Sequence, residues 1–552
     1  MVKELARPAL FFAHNARLQQ ALLFGKTCSR SDISATAGRP FTALSATRAR
    51  EFNETLALAA KSAGGSSGLG SFGLLAAGGA GAGKMMYNKS RQFSSLATRS
   101  SSSSGSFARR MFSTSRQLLN SIASPATAAP VTDTTAAPRV KKVLTDRSVG
   151  VWLIGTSFLV FGIVVIGGLT RLTESGLSIT EWKPVTGSIP PLTQQDWEAE
   201  FEKYRASPEF KLLNSNMTLD EFKFIFFMEW SHRLWGRMIG LVFVLPGAYF
   251  IARGRVSARV TKRIAAIAGL IGFQGFIGWW MVKSGLSDHF LADDGIDGKY
   301  KDSHPRVSQY RLATHLGLAF VVYLSMLWTG LEVLKENKWM KSPQEAVALA
   351  SKLSNPALRK YKLLAAGLLA LVFTTAMSGA FVAGLDAGLI YNDFPFMGEG
   401  LIPPTSEIFS TYYSRSRDDS DLIWRNMLEN PATVQLEHRI LATTSFCSIV
   451  AFHIYSTLLN KRGLLPRSVF KASHGVIGFV TLQVALGIST LWYLVPIPLA
   501  AAHQATSLAL LTEVLILCIR LRKPRAEVLQ LLQKRNAAAA AATPVKPQVL
   551  MP

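Results

Sequence analysis

After residue 147 the chain is divided by charge-free runs of a length that few folds can use. Residues 148–170 and 363–385 each run 23 residues without a formally charged side chain, and 264–282, 312–331 and 440–460 run 19, 20 and 21. Residues 472–512 are uncharged for 41 residues, but "VPIP" (495–498) breaks that stretch in two. One further apolar run, 238–252, has only 15 residues and is expected to begin earlier, inside "SHRLWGR" (231–237). About 20 apolar residues cover a ~30 Å hydrocarbon core as an α-helix, the one single-segment structure that satisfies its own backbone polar groups in lipid. The expected fold is an all-α membrane protein with eight transmembrane helices, and its first partner is a lipid bilayer.

The net charge of +25 would suggest a nucleic-acid partner if it were clustered on a soluble domain. It is not: residues 1–140 hold 17 Lys/Arg against 5 Asp/Glu. That segment is Arg-, Ser- and Ala-rich and acid-poor, the composition of a mitochondrial presequence, with "ARRMFSTSRQ" (108–117) as its processing region. No nucleic-acid partner is expected. "GLGSFG" (68–73) and "GGAGAGK" (78–84) imitate nucleotide-binding loops inside this leader. Neither follows a strand, and Met85 stands where Ser or Thr should ligate magnesium. Cys28, Cys447 and Cys518 form no CxxC and support neither a disulfide framework nor a zinc site.

The connections alternate in charge. Arg139, Lys141, Lys142 and Arg147 precede the first span, and similar basic groups follow spans 2, 4, 6 and 8, whereas the other loops are mixed or acidic. By the positive-inside rule both termini face the matrix of a multi-pass inner-membrane protein. The halves also resemble each other. "SGLSITEWKPVTGSIPP" (175–191) follows span 1 and "AGLIYNDFPFMGEGLIPP" (387–404) follows span 5, while "QGFIGWW" (274–280) and "QVALGIS" (483–489) both set Gln and Gly four apart. The expected architecture is two pseudo-symmetric four-helix bundles. A transit peptide would cover 1–112, a matrix-side linker 113–146, the N-terminal bundle 147–335, a matrix loop 336–362, the C-terminal bundle 363–523 and a matrix-side tail 524–552.

Four of nine histidines, His232, His315, His438 and His503, fall on spans 2, 4, 6 and 8. Each lies 17 to 23 residues before the cation that ends its span on the matrix side. That spacing places them at one level near the intermembrane-space edge, two per repeat. Paired imidazoles suit the iron of a bis-histidine haem, and the competing reading is interfacial histidines bonded to backbone. His14 is in the leader, His289 and His304 are in a loop, and His453 and His474 lie elsewhere in their spans. Arg233 and Arg439, next to His232 and His438, suit haem propionates or else snorkel to the interface. Glu229 precedes His232 by three and shares its helical face, while Gln435 holds the matching place before His438. The half with the acid is the one expected to do chemistry, with Glu229 accepting protons or orienting water. The alternative is a Glu that caps the helix or pairs with an Arg.

Taken together, "GGLTRLTESGLSITEWKPVTGSIPPL" (167–192), "EWSHRLWGR" (229–237), "HLGLA" (315–319), "LEHRILA" (436–442) and "HQATSLALL" (503–511) resemble the haem A synthase family of mitochondrial inner-membrane enzymes that serve cytochrome c oxidase assembly. The resemblance implies oxidation of the C8 methyl of haem O to a formyl group, giving haem A, through two hydroxylations and loss of water. It implies His232 and His315 as ligands of the substrate iron, with Arg233 beside them and Glu229 as catalytic carboxylate. His438 and His503, with Arg439, would hold a resident haem b. A mitochondrial ferredoxin is the implied electron partner, and haem O synthase and cytochrome oxidase assembly factors are further implied contacts. Some bacterial members carry a cysteine pair in the first extracytoplasmic loop; residues 171–228 contain no Cys, so the chain resembles the mitochondrial branch. Two rival classes are a di-haem membrane cytochrome that modifies nothing and a haem-handling transporter. The transporter is disfavoured because no buried ionisable residue is expected in the middle of spans 2–6 to line a path.

Overall fold

A computed structural model describes residues 142–287 and 305–542. The expected presequence 1–112 and its processing region lie outside the described residues, as do His14, His289 and His304. The described helices are α1 (Arg147–Leu172), α2 (Gln194–Arg205), α3 (Pro208–Leu212), α4 (Leu219–Ala252), α5 (Ala258–Val282), α6 (Gln309–Lys341), α7 (Pro343–Leu353) and α8 (Leu358–Gly384). They continue with α9 (Thr405–Ile408), α10 (Leu422–Glu429), α11 (Pro431–Lys461), α12 (Arg467–Trp492), α13 (Ile497–Arg520) and α14 (Ala526–Ala542). Eight of these, α1, α4, α5, α6, α8, α11, α12 and α13, are long and apolar enough to cross a membrane. The break at "VPIP" separates α12 from α13, where Leu494 and Val495 adopt left-handed φ of 61° and 55°.

Helix starts depart from the apolar runs, because a start is set by its cap. The second span begins at Leu219, well before the expected "SHRLWGR". Thr218 and Glu221 form a reciprocal capping box there, with Thr218 N donating to Glu221 Oε2 at 2.9 Å and Glu221 N to Thr218 Oγ1 at 3.4 Å. Glu229, His232, Arg233 and Arg237 therefore ride inside a 34-residue helix instead of opening one. The sixth span likewise starts at Pro431, with Asn430 accepting from Ala432 N at 3.0 Å. The fourth runs on to Lys341, and the expected matrix loop 336–362 contains α7.

In the N-terminal half, α1 packs on α4 and α6, and α5 packs on α4 and α6, which closes a ring in which α4 and α6 stand across from each other. In the C-terminal half α8 and α12 each pack on α11 and α13, so α11 and α13 stand across. The halves meet where α6 lies on α8 and α13 lies on α1 and α6. Lipid tails are as apolar as the side chains, so this association depends on close packing and polar links. Gly150 and Gly330 let α1 and α6 approach until a Cβ on Gly330 would stand 3.0 Å from the Gly150 carbonyl. Tyr323 and Thr512 bridge α6 and α13 through a 2.7 Å hydroxyl pair.

Both first helices of the halves end alike: Glu174 after α1 and Asp386 after α8 take left-handed φ of 52° and 53°. A non-glycine residue there costs roughly 1–2 kcal/mol. Asp386 offsets part of that by binding Arg171 Nη2 through both oxygens, at 2.7 and 2.9 Å. The loop after α1 builds a small aromatic core in which Trp197, Phe201 and Tyr204 of α2 bury against Phe222, Ile225 and Phe226 of α4.

Candidate functional site

Each of the four histidines singled out in the sequence lies against a glycine of the preceding span. A Cβ on Gly167 (α1) would stand 2.9 Å from His232 Cε1, and one on Gly278 (α5) 3.1 Å from His315 Cε1. A Cβ on Gly379 (α8) would stand 3.2 Å from His438 Cε1, and one on Gly487 (α12) 2.9 Å from His503 Cε1. Optimal carbon contacts are about 3.5–4.0 Å, so any larger residue at these places would push the ring away. His232 and His315 ride on the opposed helices α4 and α6, and His438 and His503 on the opposed helices α11 and α13. The ring arrangement of each half thus leaves its two imidazoles directed from non-adjacent helices.

The other ring atoms are treated differently in the four cases. Ser378 Oγ donates to the Thr375 carbonyl at 2.8 Å and lies 2.7 Å from His438 Nδ1. The hydroxyl has one proton: when it goes to the Thr375 carbonyl, His438 Nδ1 donates to Oγ and Nε2 keeps a free lone pair. The matched glutamines have their role here too. Gln274 Nε2 lies 3.1 Å from His315 Nδ1 and also donates to the His315 carbonyl at 2.9 Å, while Gln483 Nε2 lies 3.3 Å from His503 Nε2. His232 Nδ1 and His503 Nδ1 are buried without a hydrogen-bond partner. Leaving such a group unsatisfied costs about 1–3 kcal/mol; His453 Nδ1, away from this arrangement, is in the same state.

Glu229 is buried at 3% exposure. Its Oε2 accepts from Ser178 Oγ at 2.7 Å and from Ile179 N at 2.8 Å, and its Oε1 accepts from Arg233 Nη2 at 2.6 Å and Nε at 3.0 Å. Arg233 goes on to the carbonyls of Ile179 and Glu181, and Arg237 to those of Lys183 and Pro184. The middle of α4 therefore clamps the loop that follows α1 through its backbone. In the C-terminal half Arg439 binds the carbonyls of Tyr391, Asp393, Pro395 and Phe396, and Gln435 Nε2 donates to the Tyr391 carbonyl at 3.0 Å. The two arginines flagged in the sequence thus hold their loops in the same way, and Arg233 in addition pairs with the Glu229 carboxylate where the second half has Gln435. Arg439 Nε and Arg237 Nη1 are buried donors without a partner.

Sequence reasoning missed the four glycines as ring seats, Ser378, and Arg237. The signal for two of the glycines was present in the Gln/Gly spacing of spans 3 and 7; Gly167 and Gly379 carry no such marker. His453 and His474 stand apart from this arrangement, their rings 4.8 Å apart and perpendicular beside Phe470. Among the described residues no group of three or more His, Cys, Asp and Glu could hold a metal ion.

A family model described as cytochrome oxidase assembly protein (COX15-CtaA) matches residues 150–515. The chain is 56% identical over 389 residues to the haem A synthase COX15 of Saccharomyces cerevisiae, covering 70% of this chain and 78% of that protein. It is 52% identical over 380 residues to a haem A synthase–mitochondrial ferredoxin fusion protein of Schizosaccharomyces pombe, covering 68% of this chain and 60% of the fusion. It is 47% identical over 380 residues to the haem A synthase COX15 of Homo sapiens, covering 68% and 83%.

Proposed function

The chain belongs to the COX15-CtaA family of cytochrome oxidase assembly proteins, and from that premise we propose that it is a haem A synthase, an oxidoreductase that converts the C8 methyl of haem O to a formyl group. The observation that carries the reading is the seating of four imidazoles on four glycines as two opposed couples. The donor set fits haem: two rings per half from non-adjacent helices, buried Nδ1 atoms without partners on His232 and His503, and a spare guanidinium nitrogen on Arg439.

In this reading the half made of α1, α4, α5 and α6 takes the substrate. His232 and His315 would hold the haem O iron, and Arg233 would serve that pocket by fixing Glu229 and the carbonyls of Ile179 and Glu181 beside it. The half made of α8, α11, α12 and α13 would hold a resident haem b through His438 and His503, with Arg439 Nε as the donor left for it. When bound, haem b supplies a one-electron carrier. The chain's own contribution to the reaction is held in the first half. Glu229, one helical turn from His232, is the catalytic carboxylate that accepts a proton or orients water at the porphyrin edge, and Gln435 leaves the second half without an equivalent. Arg233 fixes the Glu229 carboxylate and the loop Ser178–Glu181 as one unit, which keeps that oxygen pair in place while substrate is exchanged.

The two halves are proposed as pseudo-symmetric four-helix bundles of a mitochondrial inner-membrane protein. Both termini lie in the matrix and both haem sites toward the intermembrane space, as the alternating loop charges support. Residues 1–112 are proposed as its transit peptide. A mitochondrial ferredoxin is the proposed electron partner, supported by the relative in which the two proteins are fused. The test is to extract pigment from the purified chain. Haem b together with haem O or haem A is the expected result. Haem b alone, at two per chain, would overturn the assignment in favour of an electron-transferring cytochrome.

A further inference from the structure

The residue after His503 points away from its own bundle. Gln504 lies against α1, where a Cβ on Gly168 would fall inside its carboxamide, 2.6 Å from Cδ and 2.9 Å from Nε2. Its Nε2 donates to the Val164 carbonyl of α1 at 3.0 Å. The neighbouring residue on α1 is Gly167, the seat of His232. One glycine pair therefore touches both halves: Gly167 carries an imidazole of the first, and Gly168 receives the side chain adjacent to an imidazole of the second. His503 is in turn seated on Gly487 of α12, so α13 is held from two sides by consecutive residues. The repeat-related positions are Leu316, after His315, and Ala380, after Gly379. That pair has no side-chain amide to donate, so the repeat offers no equivalent amide link where α6 meets α8.

We infer that Gln504 is a positioning residue that couples the two sites, tying the His503 side of the C-terminal pocket to the stretch of α1 on which His232 rests. The inference rests on the haem-binding reading above. A displacement of His503 by its ligand is carried through the Gln504 amide to Val164 and the Gly167–Gly168 segment, and the same path runs in reverse because a coupling free energy is reciprocal. A carboxamide fitted into a glycine notch has one arrangement, so the link is stiff in both directions.

The full-length chain purified with its pigments provides the test, read by low-temperature paramagnetic resonance of the ferric haems and by redox titration of each. His315→Ala and His438→Ala assign the two low-spin signals to their halves. Gln504→Ala is expected to shift the g-values and the midpoint potential of both centres, including the N-terminal one that Gln504 does not adjoin. Gly168→Ala combined with Gln504→Ala refills the notch and is expected to move the N-terminal signal back toward that of the unaltered protein. Tyr323→Phe breaks a separate, hydroxyl link between the halves and is expected to leave both signals in place. A shift confined to the C-terminal centre in Gln504→Ala overturns the coupling while leaving the haem reading intact. Absence of any bis-histidine low-spin signal in the unaltered protein overturns the haem reading, and the coupling with it.

Discussion

Glu229 and Arg233 form a two-point ion pair one turn apart on α4, Oε1 lying 2.6 Å from Nη2 and 3.0 Å from Nε. The pair is bound at its other edges to the backbone of Ser178–Glu181, so a buried carboxylate serves both as loop anchor and as the one acid beside His232. Glu229→Gln keeps the shape and an acceptor oxygen for Ser178 and Ile179 but removes the charge. It is expected to retain pigment and to lose conversion of haem O by about 10²-fold or more, the usual contribution of a positioned proton-transfer group. Single-turnover conversion with pigment content measured alongside separates the two effects. Glu229→Ala leaves Arg233 without its partner and is expected to destabilise the loop by roughly 3 kcal/mol. Full conversion by the Gln variant would remove the acid–base role.

The glycine seats predict a graded series. Gly167→Ala and Gly487→Ala, where the added carbon would stand 2.9 Å from the ring, are expected to lose haem more than Gly278→Ala at 3.1 Å and Gly379→Ala at 3.2 Å. Alanine is favoured over glycine inside a helix by about 1 kcal/mol, so the protein itself should not melt earlier. Haem retained per chain against melting temperature in detergent checks the series. Equal retention across all four positions contradicts the ring-seat interpretation.

Arg439 holds four carbonyls of the loop that follows α8, a pattern that a planar guanidinium supports and an ammonium does not. Arg439→Lys keeps the charge and is expected to free residues 391–404, at a cost of about 2 kcal/mol for the lost charge-assisted bonds. Limited proteolysis at this loop is expected to speed up several-fold while α11 stays protected. Unchanged cleavage would show that charge alone holds the loop.

Glu209 predicts a pH dependence of the loop core after α1. It is 5% exposed in α3, with Tyr204 Oη 3.4 Å from its Oε2. Burial first, then the charges of Glu174 and Glu229, push its carboxyl up to about 8, with nearby Arg171 opposing. The folded carboxyl therefore holds its proton where the unfolded one has lost it. The stabilisation is fully present below pH ~4.5, declines as the unfolded carboxyl ionises and is lost as pH rises through about 8. Glu209→Gln is expected to flatten this profile and to stabilise the loop at pH 8 by several kcal/mol at most, with little change at pH 4.5. Proteolysis of residues 193–218 at pH 4.5, 6.5 and 8 is the measurement, and a profile of equal slope in both proteins contradicts the assignment.

The lengths of charge-free runs were enough to read the eight long helices and the break before Ile497, because lipid imposes one length and one secondary structure. The true start of α4 at Leu219 was not legible that way: it depends on Thr218 and Glu221 bonding each other, outside any apolar run. The four histidines stood out by position, and Glu229 by its contrast with Gln435. What they touch was hidden for a physical reason. Gly167 and Gly379 act by lacking atoms, and Arg233 and Arg439 bind backbone carbonyls, which every residue possesses and no sequence pattern marks. Gln504 was passed over because its partner is a notch rather than a side chain.

Each ring of four long helices is shut by its last member: α6 returns to α1, and α13 returns to both α8 and α1. During biogenesis neither circle closes until its final segment has been threaded into the bilayer, and the second finishes only some tens of residues before the C-terminus. A chain released short of Ile497 would keep its first circle whole but leave the second gaping along two flanks, Gly168 with an empty notch and α8 bare to lipid. Membrane quality control that recognises unpaired helix flanks would therefore detect a late truncation more readily than an amino-acid change inside either circle.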